Sequence, residues 1–166
     1  SMLSHILLKG ECDPTISVGG ILPAIGGNIR VGQSETFLTE ACEYTNSFLS
    51  FFPTLGIILN MDADHLDFFK DIDDIRHSFR KFAELLPADG ALIINADTPK
   101  YEMVAENLPC KVITYGLEHD AEYTASDITY DEFGHPTFHV LHNGEDIGTC
   151  SLKVPGIHNV SNALAS

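Results

Sequence analysis

The sequence predicts an α/β fold, with a mainly parallel sheet flanked by helices and an antiparallel hairpin near the C-terminus. Three observations carry this. Short apolar runs, LGIIL at 55–59 and ALIIN at 91–95, alternate with helical stretches across residues 36–116, as strands joined by crossover helices do. Residues 71–86 repeat their apolar side chains at three- and four-residue steps. Asn143-Gly144, set between two strand-like segments, is a two-residue hairpin signal.

Taken in order, residues 2–9 read as the tail of a helix, with Met2 and Ile6, joined by Leu3 and Leu7, on one side. The Gly-rich stretch at 17–28 reads as loop or irregular strand. Strands follow at 36–41 and 55–60, the second apolar enough to be buried on both faces of a parallel sheet. In the 71–86 helix, Ile72, Ile75, Phe79, Phe82, Ala83 and Leu86 form the core stripe. Asp73, Asp74, Arg76 and Arg80 fall off it, and Pro87 with Asp89-Gly90 ends it. A strand at 91–95, a helix at 99–107 and a strand at 111–115 complete the alternation.

The pattern then changes to strands at 122–130, 137–142 and 145–154, with a phase shift that places a bulge at Gly148. After Pro155-Gly156 a helix begins at 158 and meets no stop signal by 166. Both ends therefore read as cuts through helices, as expected for part of a larger enzyme.

The 166 residues suit one domain. With 9 Lys and Arg against 24 Asp and Glu, the net charge is −15. Such a chain lacks the cationic footprint for nucleic acid and is repelled by anionic membrane surfaces. No stretch approaches the ~18 apolar residues of a membrane span, and the first residues lack the basic start and cleavage-like site of a signal peptide. Cys12, Cys42, Cys110 and Cys150 are widely spaced without a C-x-x-C, so zinc-knuckle and thioredoxin-like chemistry are unsupported. They read as buried thiols in a reducing cytoplasm.

Three clusters carry candidate chemistry. Asn60-Met61-Asp62-Ala63-Asp64-His65-Leu66-Asp67 directly follows the LGIIL strand, where parallel sheets place their ligands. It offers an imidazole and carboxylates to a metal or phosphate. As one of the most acidic stretches of the chain, it reads equally as a solvated connection. Thr39-Glu40-Ala41-Cys42-Glu43 puts two acids three apart at a strand end, fit for Mg²⁺ or for the start of a helix. In Pro155-Gly156-Ile157-His158-Asn159-Val160-Ser161-Asn162, the two asparagines share a helix face and can meet a base edge; the plainer alternative is Asn159 as an N-cap. Neither G-x-x-x-x-G-K-[ST] nor G-x-G-x-x-G occurs, so no phosphate cradle is present. His135, His139 and His142 read as surface groups of the hairpin.

In series, E-A-C-E, D-H-L-D and G-x-H-N-x-x-N-A-L-A resemble the Mur ligase family, and the strings around them extend the resemblance over essentially all 166 residues. The resemblance implies that residues 1–166 are most of a central ATP-binding domain, truncated at both ends. The UDP-substrate domain, the P-loop just before Ser1 and the C-terminal domain would lie outside. It implies ATP and Mg²⁺ as cofactors, and Glu40 as the Mg²⁺ carboxylate beside the γ-phosphate. His65 would bind a second Mg²⁺ that also touches the acceptor carboxylate, while Asn159 and Asn162, with His158 beside them, would form the adenine-recognition edge. The bridging modified lysine of several relatives has no clear equivalent in the SFRKF of 78–82.

The implied activity is cytoplasmic, bacterial and ATP-dependent: L-alanine joined to the carboxylate of UDP-N-acetylmuramate through an acyl phosphate, for peptidoglycan synthesis. Residues 1–166 alone are expected to bind ATP weakly and to be inactive. The rivals are a Mur-type ligase adding another amino acid or a peptide, and a non-catalytic domain of the same fold.

Overall fold

The computed structural model describes residues 2–63, 65 and 67–166, and the chain divides into a unit up to Cys42 and a unit from Glu43 to Ala165. In the first unit, α1 (Met2–Lys9) precedes β1 (Thr15–Leu22), a 3₁₀ turn (Pro23–Ile25), β2 (Gly27–Arg30) and β3 (Phe37–Thr39). β1 pairs antiparallel with β2 and parallel with β3, forming a three-stranded sheet in the order β2-β1-β3. Ile16, Val18 and Leu22 of β1 make its core, against which Leu8 and Ile25 pack. On α1 the inward side is therefore Ser4, fully buried, and Leu8; Ile6 stands out at 51% exposure, a rotation of the expected face. The Gly-rich stretch expected as loop or irregular strand is β1 and β2.

In the second unit β4 (Leu55–Ile58), β5 (Ala91–Asn95) and β6 (Lys111–Tyr115) run parallel, and β7 (Tyr123–Tyr130) joins β6 in parallel through the Tyr115–Tyr123 pair. β8 (Pro136–His142) and β9 (Glu145–Ser151) continue the six-stranded sheet antiparallel. Asn143 and Gly144 turn the expected hairpin with both residues left-handed, at φ 51° and 83°. The expected bulge is present: Val140 faces Gly148 while Leu141 faces Asp146.

Two expectations change. The 36–41 strand does not join the parallel sheet of the 55–60 strand, because its pairing partner is β1, which the glycines disguise. β4 is an edge strand of its sheet, with Gly56 and Ile58 buried but Leu55 55% exposed, so it is covered less completely than its apolar run suggests.

The helix α2 (Ile72–Ala83) starts on Asp71, whose carboxylate accepts from the Asp73 and Asp74 N–H groups, and buries Ile75, Phe82 and Ala83. Phe48 lies stacked on Phe82 at 5.0 Å between ring centroids and edge-on to Phe79 at 5.4 Å. Arg76, expected off the core stripe, is 7% exposed: its stem packs inward while Nη1 reaches back one turn to Asp73 at 2.6 Å. Between β5 and β6 the expected 99–107 helix is only the single turn α3 (Glu102–Ala105). The last helix, α4 (Ile157–Leu164), is seated through Val160, which is fully buried. Cys110 is buried and Cys150 half-buried, but Cys12 and Cys42 are exposed, against the expectation of buried thiols; all four are free.

Candidate functional site

Glu40 follows β3 directly, in the first unit. Its Oε2 accepts a hydrogen bond of 3.1 Å from the Gly19 N–H of β1, and a Cβ at Gly19 would lie 3.3 Å from Oε1. The bare glycine thus lets the carboxylate lie against the strand, with its position fixed and its remaining lone pairs open.

The second unit holds the other candidates. Beyond Ile58 the chain runs through Asn60, Met61 and Asp62 to His65; Asp64 and Leu66 of the D-H-L-D string lie outside the described residues. His65 is left-handed, at φ 52°, and its carbonyl accepts from the Phe68 and Phe69 N–H groups, each at 2.9 Å. The Tyr44 ring packs on its imidazole at 4.7 Å between centroids, and the Tyr44 hydroxyl donates to Asp67 Oδ2 at 2.8 Å. That bond to a carboxylate holds the Tyr44 pKa above its ordinary value. His65 Nε2 lies 3.5 Å from Glu43 Oε1.

Glu43 occupies the N-cap position of a 3₁₀ segment (Tyr44–Ser50), as the helix-start alternative has it, but its carboxylate makes no capping hydrogen bond. A cavity of about 180 Å³ beside it has Glu43, Asn60 and Asp62 as polar lining over Met61, Phe69 and Phe79. The described acids of this run, Asp62, Asp67, Asp71, Asp73 and Asp74, are all exposed, as a solvated connection would have them, and several also make local bonds. Asp67 holds Tyr44, Asp71 caps α2, and Asp73 pairs with Arg76 and Lys100.

On α4, Gly156 is the N-cap, at φ 100°, and a Cβ there would lie 2.6 Å from the His158 ring; no other residue fits this turn unchanged. Asn159 is thus inside the first turn and not the cap. Its Nδ2 donates to the Pro155 carbonyl at 2.8 Å and also lies 3.2 Å from His158 Nε2. Asn162 Nδ2 reaches Asn159 Oδ1 at 3.5 Å, so the two asparagines share the helix face that their spacing predicts, with the His158 ring beside Asn159.

One buried group links this helix to the His65 segment. Tyr115, 1% exposed, ends β6; its hydroxyl lies 3.4 Å from the carbonyls of Ile58 and Leu59 and makes a hydrogen bond with the Ser161 side chain. Burial raises its pKa, so it stays a neutral phenol. Asn95 Nδ2 also donates to the Leu59 carbonyl, at 3.1 Å. Below, Asp97 accepts from the N–H groups of Leu117 at 2.6 Å, Glu118 at 3.1 Å and His119 at 2.9 Å, and from His119 Nδ1 at 3.0 Å. Burial opposes its charge, but these donors outweigh burial and hold the carboxyl below its ordinary range. The sequence motifs single out none of Tyr44, Asp67 as a tyrosine partner, Asp97 or Tyr115. The signal available for Tyr115 and Asp97 is their place at the carboxyl ends of the expected parallel strands.

Glu40 falls in the first unit and His65 in the second. Among the described residues no three His, Cys, Asp or Glu side chains converge as a metal cage. The Glu40 carboxylate is a donor of the type Mg²⁺ takes, since that ion is commonly held by one or two carboxylates and completed by phosphate and water. His135, His139 and His142, each half-buried, pair with Asp131, Asp146 and Glu122 in and beside the antiparallel strands. No helix among the described residues is long and apolar enough to cross a membrane.

The UDP-N-acetylmuramate–L-alanine ligase of Lachnospira eligens is 60% identical over the whole chain, and that of Agathobacter rectalis 55%. The chain spans 36% of the length of each. The crystal structure of the UDP-N-acetylmuramate–alanine ligase of Thermotoga maritima matches with a TM-score of 0.82 at 28% identity, over 99% of this chain and 36% of that one. A UDP-N-acetylmuramate:L-alanyl-γ-D-glutamyl-meso-diaminopimelate ligase from Neisseria meningitidis matches with a TM-score of 0.85 at 25% identity, over 99% of this chain and 54% of that one. The model of the Mur ligase middle domain covers residues 22–166, and with it the chain belongs to the Mur ligase family.

Proposed function

We propose that this chain is the central part of an ATP-dependent ligase that joins L-alanine to the lactyl carboxylate of UDP-N-acetylmuramate, in the cytoplasm of a bacterium. The observation that carries this reading is the 60% identity, over the whole chain, to a ligase named for that reaction. The arrangement of the candidate groups agrees with it, since Glu40 and the 60–65 segment each follow the carboxyl end of a strand.

In this reading a carboxylate oxygen of the muramyl substrate attacks the γ-phosphorus of ATP, and ADP leaves. The amine of L-alanine then attacks the acyl phosphate carbon, inorganic phosphate leaves with the former carboxylate oxygen, and the nitrogen loses a proton. Mg²⁺, when bound, neutralises charge on the transferring phosphoryl oxygens. Glu40, held at fixed aim by Gly19, would hold one such ion, and His65 a second. Phosphoryl transfer depends mostly on positioning and charge neutralisation, which is what a pinned carboxylate and a braced imidazole supply. His158, Asn159 and Asn162 would read the adenine edge with amide and imidazole donors and acceptors.

ADP release by the full-length enzyme tests this directly. It should require both UDP-N-acetylmuramate and L-alanine; turnover with muramate and no L-alanine, or none with both, overturns the reading. The Neisseria neighbour, named for a peptide acceptor, favours a second reading in which a tripeptide is the preferred nucleophile. A higher kcat/KM for L-alanyl-γ-D-glutamyl-meso-diaminopimelate than for L-alanine would select it.

A further inference from the structure

We infer that Glu43 is a second protein ligand of the divalent cation assigned above to His65, a proposal that rests on that reading of His65. An imidazole alone is a poor host for a hard cation of the Mg²⁺ class, which takes oxygen. Among the described residues, the carboxylate oxygen Glu43 Oε1 lies 3.5 Å from His65 Nε2. Neighbouring ligands of an octahedral cation, each at ~2.1 Å from it, stand about 3 Å apart, so a small rotation of the glutamate brings both onto one ion.

Both side chains are about one-third exposed, at 34% for His65 and 33% for Glu43.

The surroundings fix this pair. Tyr44 follows Glu43 in sequence, lays its ring on the His65 imidazole and ties its hydroxyl to Asp67, two residues beyond the histidine. The edge of Phe68 packs on Tyr44 at 6.1 Å, and the His65 carbonyl takes two N–H bonds. Two segments more than twenty residues apart are thereby stapled at one point, with a left-handed histidine at its centre. The carboxylate makes no capping hydrogen bond at the start of the 3₁₀ segment, and Glu43 also lines a cavity with Asn60 and Asp62.

The test uses the full-length enzyme with Mn²⁺ as a paramagnetic probe, in the presence of UDP-N-acetylmuramate and a non-hydrolysable ATP analogue. Free Mn²⁺ is counted by electron paramagnetic resonance. His65→Ala should abolish one Mn²⁺ site. Glu43→Gln, which keeps shape and removes charge, should weaken the same site about tenfold or more, and Glu43→Asp should recover part of that loss. If His65→Ala removes the site and Glu43→Gln leaves it intact, Glu43 is only an ion-pair partner of the histidine and the inference fails while the His65 reading stands. If His65→Ala leaves every site intact, the His65 reading fails and the inference with it. Should glutamine at position 43 disturb folding, Glu43→Asp alone decides, since a ligand shortened by one methylene must still shift the affinity.

Discussion

Replacing Asp97 with asparagine isolates the contact that ties the end of β5 to the loop after β6. The carboxylate receives four donors: the backbone N–H groups of Leu117, Glu118 and His119, and His119 Nδ1. Its side chain is only 18% exposed. Hydrogen bonds to a charged acceptor contribute about 1.5–3 kcal/mol each. The substituted amide would keep one accepting oxygen, lose the charge on every bond and turn an NH₂ toward a backbone donor. A net loss of about 2–3 kcal/mol follows. For a domain of this size that lowers the melting temperature by roughly 4–12 °C.

The pH dependence has a definite sign. The folded carboxyl titrates below its ordinary value, so its stabilisation is complete above that value and is lost as pH falls through the folded pKa. Thermal unfolding followed by circular dichroism should therefore show a wide gap between wild type and Asp97→Asn at pH 7 that narrows below about pH 4. A gap under ~0.5 kcal/mol at neutral pH, or one that persists unchanged into acid, would refute this account of the loop.

Three further substitutions have definite expected outcomes. Gly156→Ala meets both the left-handed φ and the His158 ring, and should cost about 1–3 kcal/mol in thermal unfolding; in the full-length enzyme it should raise KM for ATP more than it lowers kcat. Tyr115→Phe removes one buried hydroxyl shared by Ile58, Leu59 and Ser161, and should cost about 1–3 kcal/mol in urea unfolding with the fold retained by circular dichroism. Phe48→Ala empties the stack on Phe82 and should cost about 3–5 kcal/mol, read as a lower urea midpoint.

The parts of the fold that are legible in the sequence are those written in local patterns. The α2 stripe, the ALIIN strand and the Asn143-Gly144 turn each satisfy one local rule of period or turn chemistry, and each lies where that rule puts it. β1 is less legible because Gly19 and Gly20 interrupt its apolar alternation. Gly19 is in fact the residue that lets Glu40 approach the strand.

The assignment of β3 to its sheet is not legible, since pairing is a long-range property and its partner is the disguised strand. The inward turn of Arg76 likewise depends on Asp73 receiving its charge, which helical periodicity does not record. At the candidate site, E-A-C-E and D-H-L-D mark the segments but not their relation. That Glu43, three residues past Glu40, is the acid beside His65 follows from the Tyr44 staple, a contact between distant residues.

The central proposal is that the full-length enzyme activates the muramyl carboxylate by phosphorylation, with Glu40 and His65 each serving to hold a cation. Its most direct test supplies UDP-N-acetylmuramate carrying heavy oxygen in the lactyl carboxylate, together with Mg-ATP and L-alanine, and analyses the released phosphate by mass spectrometry. An acyl phosphate requires one labelled oxygen in each phosphate formed, and Glu40→Ala and His65→Ala should each cut label release by about a hundredfold or more while folding stability changes little. Amide formation with unlabelled phosphate, or label release unchanged in both variants, would contradict the account.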